Sequence, residues 1–171
     1  VAMPLLVVDQ GGDAFDAVFR TNPEPQADRW QAIVIHHSGQ PYGNTDTIAD
    51  LHQSLGYGGL GYHFVIGNGS GSADGEVQTG YRWARQVNGV HAGGPDGAWY
   101  NRFAIGICLV GNGDRGAPTA SQMRQLVRLV HALQRRLDIP AERVVLHGNI
   151  AETTSPGRFF PAARFRQQLL T

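Results

Sequence analysis

VVLHGNIAETTSPGRFFP, residues 144–161, holds the pattern from which the fold can be read. Val144, Val145 and Leu146 form a short apolar run of the kind a buried strand presents, and His147 stands where that strand gives way to a polar loop. Pro156 and Gly157 then turn the chain, and Phe159 and Phe160 return it to apolar surroundings. A His at a strand end and a small polar residue just before Pro-Gly, Ser155, aim two side chains at one point. The matching element lies far upstream in QAIVIHHS, residues 31–38, where Ile33, Val34 and Ile35 run without a polar break into His36 and His37. Such a run suits a strand covered on both faces. Successive side chains on a strand point to opposite faces, so only one of His36 and His37 can serve a shared site.

Working outward, residues 1–30 read as an N-terminal covering segment: an apolar stub over 3–8, a short helix over 13–20, and the Pro-bearing connector TNPEPQADR. The domain proper spans 31–171. A helix capped by Thr45 or Asp46 carries Ile48, Leu51 and Leu55 at helical spacing, with His52 on its surface. YHFVI, residues 62–66, is a strand, and EVQT, residues 76–79, forms a hairpin with it across a Gly/Ser-rich turn. That turn lacks the spacing and the following helix of a phosphate cradle. His91 sits in a Gly-flanked loop and is expected to line a groove. FAIGICLVG, residues 103–111, is the most apolar strand and belongs at the sheet centre. Thr119 caps a long helix with Gln122 as its capping-box partner, and Met123, Leu126, Val127, Val130, Leu133 and Leu137 form its buried stripe. His131 lies beside that stripe, Pro140 stops the segment, and residues 161–170 close the chain as a helix. The order strand, helix, hairpin, strand, helix, strand, helix gives an α/β single domain with a mixed central β-sheet flanked by helices.

Composition narrows the function. The 171 residues suffice for one domain, and 14 basic residues balance 14 acidic ones. A net charge of zero argues against nucleic acid or an anionic membrane as an electrostatic partner. Every basic residue is Arg, so chemistry that needs a Lys is excluded. The single cysteine, Cys108, makes no internal disulfide, and no apolar run is long enough to span a bilayer. Two imidazoles at matched strand ends are suited to a metal: a catalytic zinc takes three protein ligands, lowers the pKa of its water towards ~7 and polarises a carbonyl.

IVIHHSG, GYHFVIGNG, VNGVHAGG, YNRFAIGICLVGN and LHGNIAETTSPGRFFP, in that order, resemble the zinc-dependent N-acetylmuramoyl-L-alanine amidases, a family that includes bacteriophage lysozyme-amidases and peptidoglycan recognition proteins. The resemblance spans roughly residues 31–170. It implies an amidase-like fold and hydrolysis of the amide between the muramic acid lactyl group and L-alanine. It places His36 and His147 as the first two zinc ligands and Ser155 in the third position. It also implies that Tyr62 stands near the metal-bound water, that Thr153 assists catalysis, and that His91 and Asn101 contact substrate. Arg85 and Arg158 are candidate contacts for a peptide carboxylate. The partner would be peptidoglycan or a muropeptide, met by a protein that is secreted or resides in the cell envelope or periplasm.

Ser155 departs from the pattern. Family enzymes put Cys, or in one branch Asp, before Pro-Gly, and a neutral hydroxyl supplies neither negative charge nor a usual zinc bond. The expectation is therefore a peptidoglycan amidase, with the alternative of a catalytically impaired peptidoglycan-binding module lacking zinc. Glu152, three residues before Ser155, is the carboxylate that a loop rearrangement would bring in to complete the set.

Overall fold

The computed structural model describes residues 3–4 and 15–171. Six strands form one sheet: β1 (Met3–Pro4), β2 (Ala32–His37), β3 (Phe64–Ile66), β4 (Val77–Thr79), β5 (Ala104–Leu109) and β6 (Val144–Leu146). Their spatial order is β1-β4-β3-β5-β2-β6. The pairs β3–β5, β5–β2 and β2–β6 are parallel, while β4 runs antiparallel to β3 and to β1. The mixed sheet is thus observed, with β5 in its interior. The expected stub over 5–8 and the start of the 13–20 helix lie outside the described residues. Within that helix's span a three-ten turn, Asp16–Phe19, is present.

The helices are α1 (Thr45–Ser54), α2 (Tyr81–Ala84), α3 (Gly97–Phe103), α4 (Ala120–Leu137) and α5 (Ala162–Leu169). Helices α2 and α3 are too short for a periodic signal and were not expected. Thr119 caps α4 in a reciprocal box with Gln122, and its apolar stripe packs on the odd-numbered residues of β2 and β5: Ile33, Ile35, Ile105, Ile107 and Leu109. Leu129 joins that stripe, and Met123 and Val127 lie at its margin. Phe15, Val18, Phe19 and Trp30 enter the same core, so this part of the leading segment packs as one body with the sheet.

The opposite face of the sheet is built from small side chains. Ala32, Val34 and Ala104 are fully covered there, with Trp99, Tyr100, Val145 and Ile150 over them. Further along the same face Cys108, Val65 and Val110 pack on Ile48 and Leu60. Small residues leave room above the strands for larger rings from the loops, and His36 points into that room.

Helix α1 differs from the expectation. Its buried residues are Thr45, Ile48 and His52, whereas Leu51 is 50% exposed and Leu55 56% exposed. His52 is held inward because its Nδ1 accepts the Gly61 N–H at 2.8 Å, which closes the loop after the helix. A specific hydrogen bond here outranks apolarity in choosing the face. The cap is Asn44, one residue earlier than expected, in a box with Thr47.

Candidate active site

Register puts the two distant imidazoles side by side. Strands β2 and β6 pair Ile33 with Val144, Val34 with Val145 and Ile35 with Leu146. The next step brings His36 level with His147, and their ring centroids are 4.3 Å apart. His37, on the opposite face, is turned away and accepts the Gly113 N–H through Nδ1 at 2.9 Å. Two more rings complete the cluster, His91 and Tyr62, each with its centroid 5.0 Å from that of His36.

The loop after β6 is tied at several points. Gly148 N–H donates to the Ser155 carbonyl at 2.8 Å, and Ser155 N–H donates to Thr153 Oγ1 at 3.2 Å. Ser155 is buried, and its Oγ accepts the His37 N–H at 3.1 Å. Gly157 has φ +103, and a Cβ there would collide with the backbone of Gly113, so the chain after Pro156 needs a glycine. Asp114 receives the Arg158 N–H at 3.0 Å and the Thr154 hydroxyl, which pins the far side of the loop.

Several residues sit differently from the sequence reading. His91 lies buried beneath His36 rather than along a groove wall, its Nδ1 3.0 Å from His36 Nε2 and its Nε2 3.1 Å from the Ala104 carbonyl oxygen. Gly89 in its loop and Gly106 on β5 admit the ring: a Cβ at Gly106 would sit 2.7 Å from it. Asn101 spends its amide on the His91 loop, accepting from His91 and Ala92 N–H and donating to the Ala92 carbonyl. Thr153 is exposed, with its hydroxyl oxygen serving the loop. Arg85 stacks over Tyr81 at 5.5 Å, and Arg158 Nε donates to the Asp114 carbonyl at 3.2 Å. Tyr62 packs on His36 and His52 and against the buried cluster that contains Cys108. Cys108 is thus a member of the cluster that the sequence offered only as a core residue. The register pairing of Cys108 with His36 is the signal that reveals it.

Burial keeps these rings neutral. Desolvation, then the neighbouring imidazoles His91 and His147, hold His36 well below the ordinary value of 6.5. Desolvation holds His63 at about 3 and His91 at about 4. It also pushes the Tyr62 hydroxyl and the Cys108 thiol upward. Because these His pKa values are depressed on folding, protons bind the unfolded chain first as the pH falls. Stability is therefore expected to be full above about pH 6.5 and to decline towards pH 4, by roughly 2 kcal/mol each for His63 and His91 at pH 5. Chemical denaturation at pH 7.5 and pH 5 measures this; equal midpoints at the two pH values would contradict it.

A cleft of about 430 Å³ opens beside Tyr62, lined among others by Ser38, Tyr42, Ile48, Leu51 and His52. Tyr42 is 62% exposed, so with Leu51 it gives the cleft an open apolar edge. Tyr62, which lines that cleft, packs on the fully buried His36, whose Nδ1 has no hydrogen-bond partner. That bare nitrogen and the neighbouring His147 imidazole are the two nitrogen donors that the resemblance would assign to a zinc site. The third place holds a neutral hydroxyl that already accepts the His37 N–H. Glu152 is exposed on the loop, and among the described residues no three of His, Cys, Asp and Glu gather to hold a metal. A catalytic zinc of the three-ligand kind does not fit this donor set.

Comparison with known proteins places this cleft in a family. The chain is 29% identical over 156 residues to a peptidoglycan recognition protein of Trichoplusia ni, covering 85% of this chain and 79% of that one. Its fold matches the N-acetylmuramoyl-L-alanine amidase LysC from Clostridium intestinale URNW with a TM-score of 0.70 and 28% identity, over 84% of this chain and 87% of that one. It matches a variant of Drosophila PGRP-LB in complex with tracheal cytotoxin with a TM-score of 0.63 and 26% identity, over 78% and 79%. The N-acetylmuramoyl-L-alanine amidase family model matches residues 26–158, which include β2, β6 and every residue of the His36 cluster, and the chain belongs to that family.

Proposed function

We propose that this domain binds peptidoglycan at the junction of the muramic acid lactyl group and L-alanine, and that with Ser155 in place it holds the junction without cutting it. The observation that carries this reading is the donor set: two imidazoles and a hydroxyl, with no anion to complete a metal site. The apolar edge formed by Tyr42 and Leu51 suits a sugar face and the small methyl groups of lactate and alanine. The solved relative in complex with tracheal cytotoxin supports a ligand of that class. Such a ligand lies outside the cytoplasmic membrane, so the proposal requires export or release on lysis. No described helix is long and apolar enough to cross a membrane.

Hydrolysis of the same amide is the second reading, favoured by the partnerless His36 Nδ1. The residues themselves supply the rest of the site in either case: the His147 ring beside His36, the Tyr62 ring against both His36 and His52, and a loop fixed by the Gly148–Ser155 bond.

Co-sedimentation with insoluble peptidoglycan, together with assay of new amino ends and bound zinc, separates the readings. Expected are retention on the wall, no release of amino ends, and substoichiometric zinc even after zinc is added. Full zinc occupancy with release of L-alanine amino ends would replace binding by hydrolysis. Absence of retention would remove both.

A further inference from the structure

His91 stands between two groups that together determine where its proton lies. The Ala104 carbonyl oxygen, 3.1 Å from Nε2, can only accept, so Nε2 carries the hydrogen. In a neutral ring Nδ1 is then bare, and the His36 Nε2 that lies 3.0 Å away must donate to it. A neutral His36 protonated on Nε2 has a bare Nδ1, which is the nitrogen that finds no partner in the fold. The opposite tautomer of His36 would set two lone pairs against each other across 3.0 Å and bury an N–H with no acceptor.

The surroundings hold His91 in this place. Asn101 grips its backbone through the His91 and Ala92 N–H groups. The Gly106 Cα lies against its ring in the middle of a buried strand, where a side chain would collide with it at 2.7 Å, and Gly89 closes on the ring from the loop. A glycine inside a central strand weakens that strand unless something must come close, and here it is an imidazole.

We propose that His91 is a positioning residue that fixes His36 as its Nε2–H tautomer, so that any group reaching the buried Nδ1 beside His147 meets it only as an electron-pair donor. The ligand group at that point is then a hydrogen-bond donor, such as the amide N–H of a muramoyl peptide, or a cation; it is not a carbonyl or a carboxylate. The choice between these two ligands rests on the functional reading above, but the tautomer does not.

The test is a long-range proton–nitrogen correlation spectrum of the imidazoles in the full chain, labelled with nitrogen-15 and freed of metal by chelator. The expected result is a protonated Nε2 and a bare Nδ1 on His36. In His91→Leu no acceptor remains, and His36 should populate both tautomers. In His91→Asn the amide oxygen lies near the former Nδ1 position, and the single tautomer should return. His63 reports on folding, because its Nε2 faces the Val87 carbonyl and its Nδ1 accepts the Gly106 N–H. A second readout is zinc affinity in a Ser155→Cys background, which should fall ~10–100-fold with His91→Leu and recover with His91→Asn. A proton on His36 Nδ1 in the unsubstituted chain would overturn the proposal whatever the variants do. So would an unchanged His36 pattern in a His91→Leu protein that keeps its His63 signals. No peptidoglycan enters these spectra, so failure of wall binding and failure of the tautomer assignment are distinguishable.

Discussion

Ser155→Cys is expected to convert a weak two-nitrogen site into a zinc site, with affinity rising by more than the ~10–100-fold that a second-shell partner contributes. The reason is charge. A thiolate brings an anion and a strong bond to zinc, and metal binding drives its deprotonation. The position is prepared for it: the residue is buried, its main chain is fixed by Gly148, and the His37 N–H that now donates to Oγ at 3.1 Å would donate to the thiolate instead. Zinc content after purification without chelator measures the gain, and release of amino ends from cell walls measures its chemical consequence. Adding His36→Ala to the Cys variant should abolish both. A Ser155→Cys protein that stays free of zinc and inert would show that the deficit lies elsewhere in the cluster.

Arg82→Ala is expected to cost about 3 kcal/mol or more of stability. The Arg82 guanidinium is buried, and it donates to three main-chain carbonyls: Leu60 at 2.7 Å, Asn88 at 2.8 Å and Tyr57 at 2.6 Å. Truncation leaves those carbonyls without their donor and unfastens both the loop that delivers Tyr62 and the one that delivers His91. For a chain of this size the melting temperature should fall by roughly 6–12 °C. Arg82→Lys should recover little, because one ammonium cannot reach three carbonyls spread around a planar fork. Arg124→Ala, on the exposed face of α4 beside Ser121, is the control and should stay within about 0.5 kcal/mol. A loss under about 1 kcal/mol for Arg82→Ala would mean that water replaces the guanidinium at all three carbonyls.

Part of the site was legible before any coordinates. The apolar runs ending in His36 and His147 marked two strand ends, and alternation along β2 allowed only one of His36 and His37 to face the cluster. The capping box at Thr119 and the stripe of α4 were equally plain, because local hydrogen bonding and helical periodicity both act within a few residues. His52 and Leu51 were not: amphipathic spacing assigns the apolar side inward, whereas α1 is rotated so that His52 meets the Gly61 N–H and Leu51 edges the cleft. His91 was misplaced for a related reason. Glycines around a histidine suggest open approach by a ligand, but here Gly89, with Gly106 on β5, makes space for the ring itself. The pairing of Cys108 with His36 depends on sheet register, which no local pattern encodes.

The sequence by itself determined the mixed α/β layering and the two imidazoles at strand ends, since each follows from residue type and short-range periodicity, while the resemblance alone implied that Ser155 takes the third position. Only the tertiary structure decided that His36 and His147 stand level on adjacent parallel strands, that His91 lies beneath His36 with one nitrogen committed to Ala104, and that, among the described residues, one buried side-chain nitrogen is left without a partner. Those facts arise from strand register and from hydrogen bonds between segments separated in the chain, 55 residues for His36 and His91 and 13 for His91 and Ala104, and their geometry exists only once the sheet has closed.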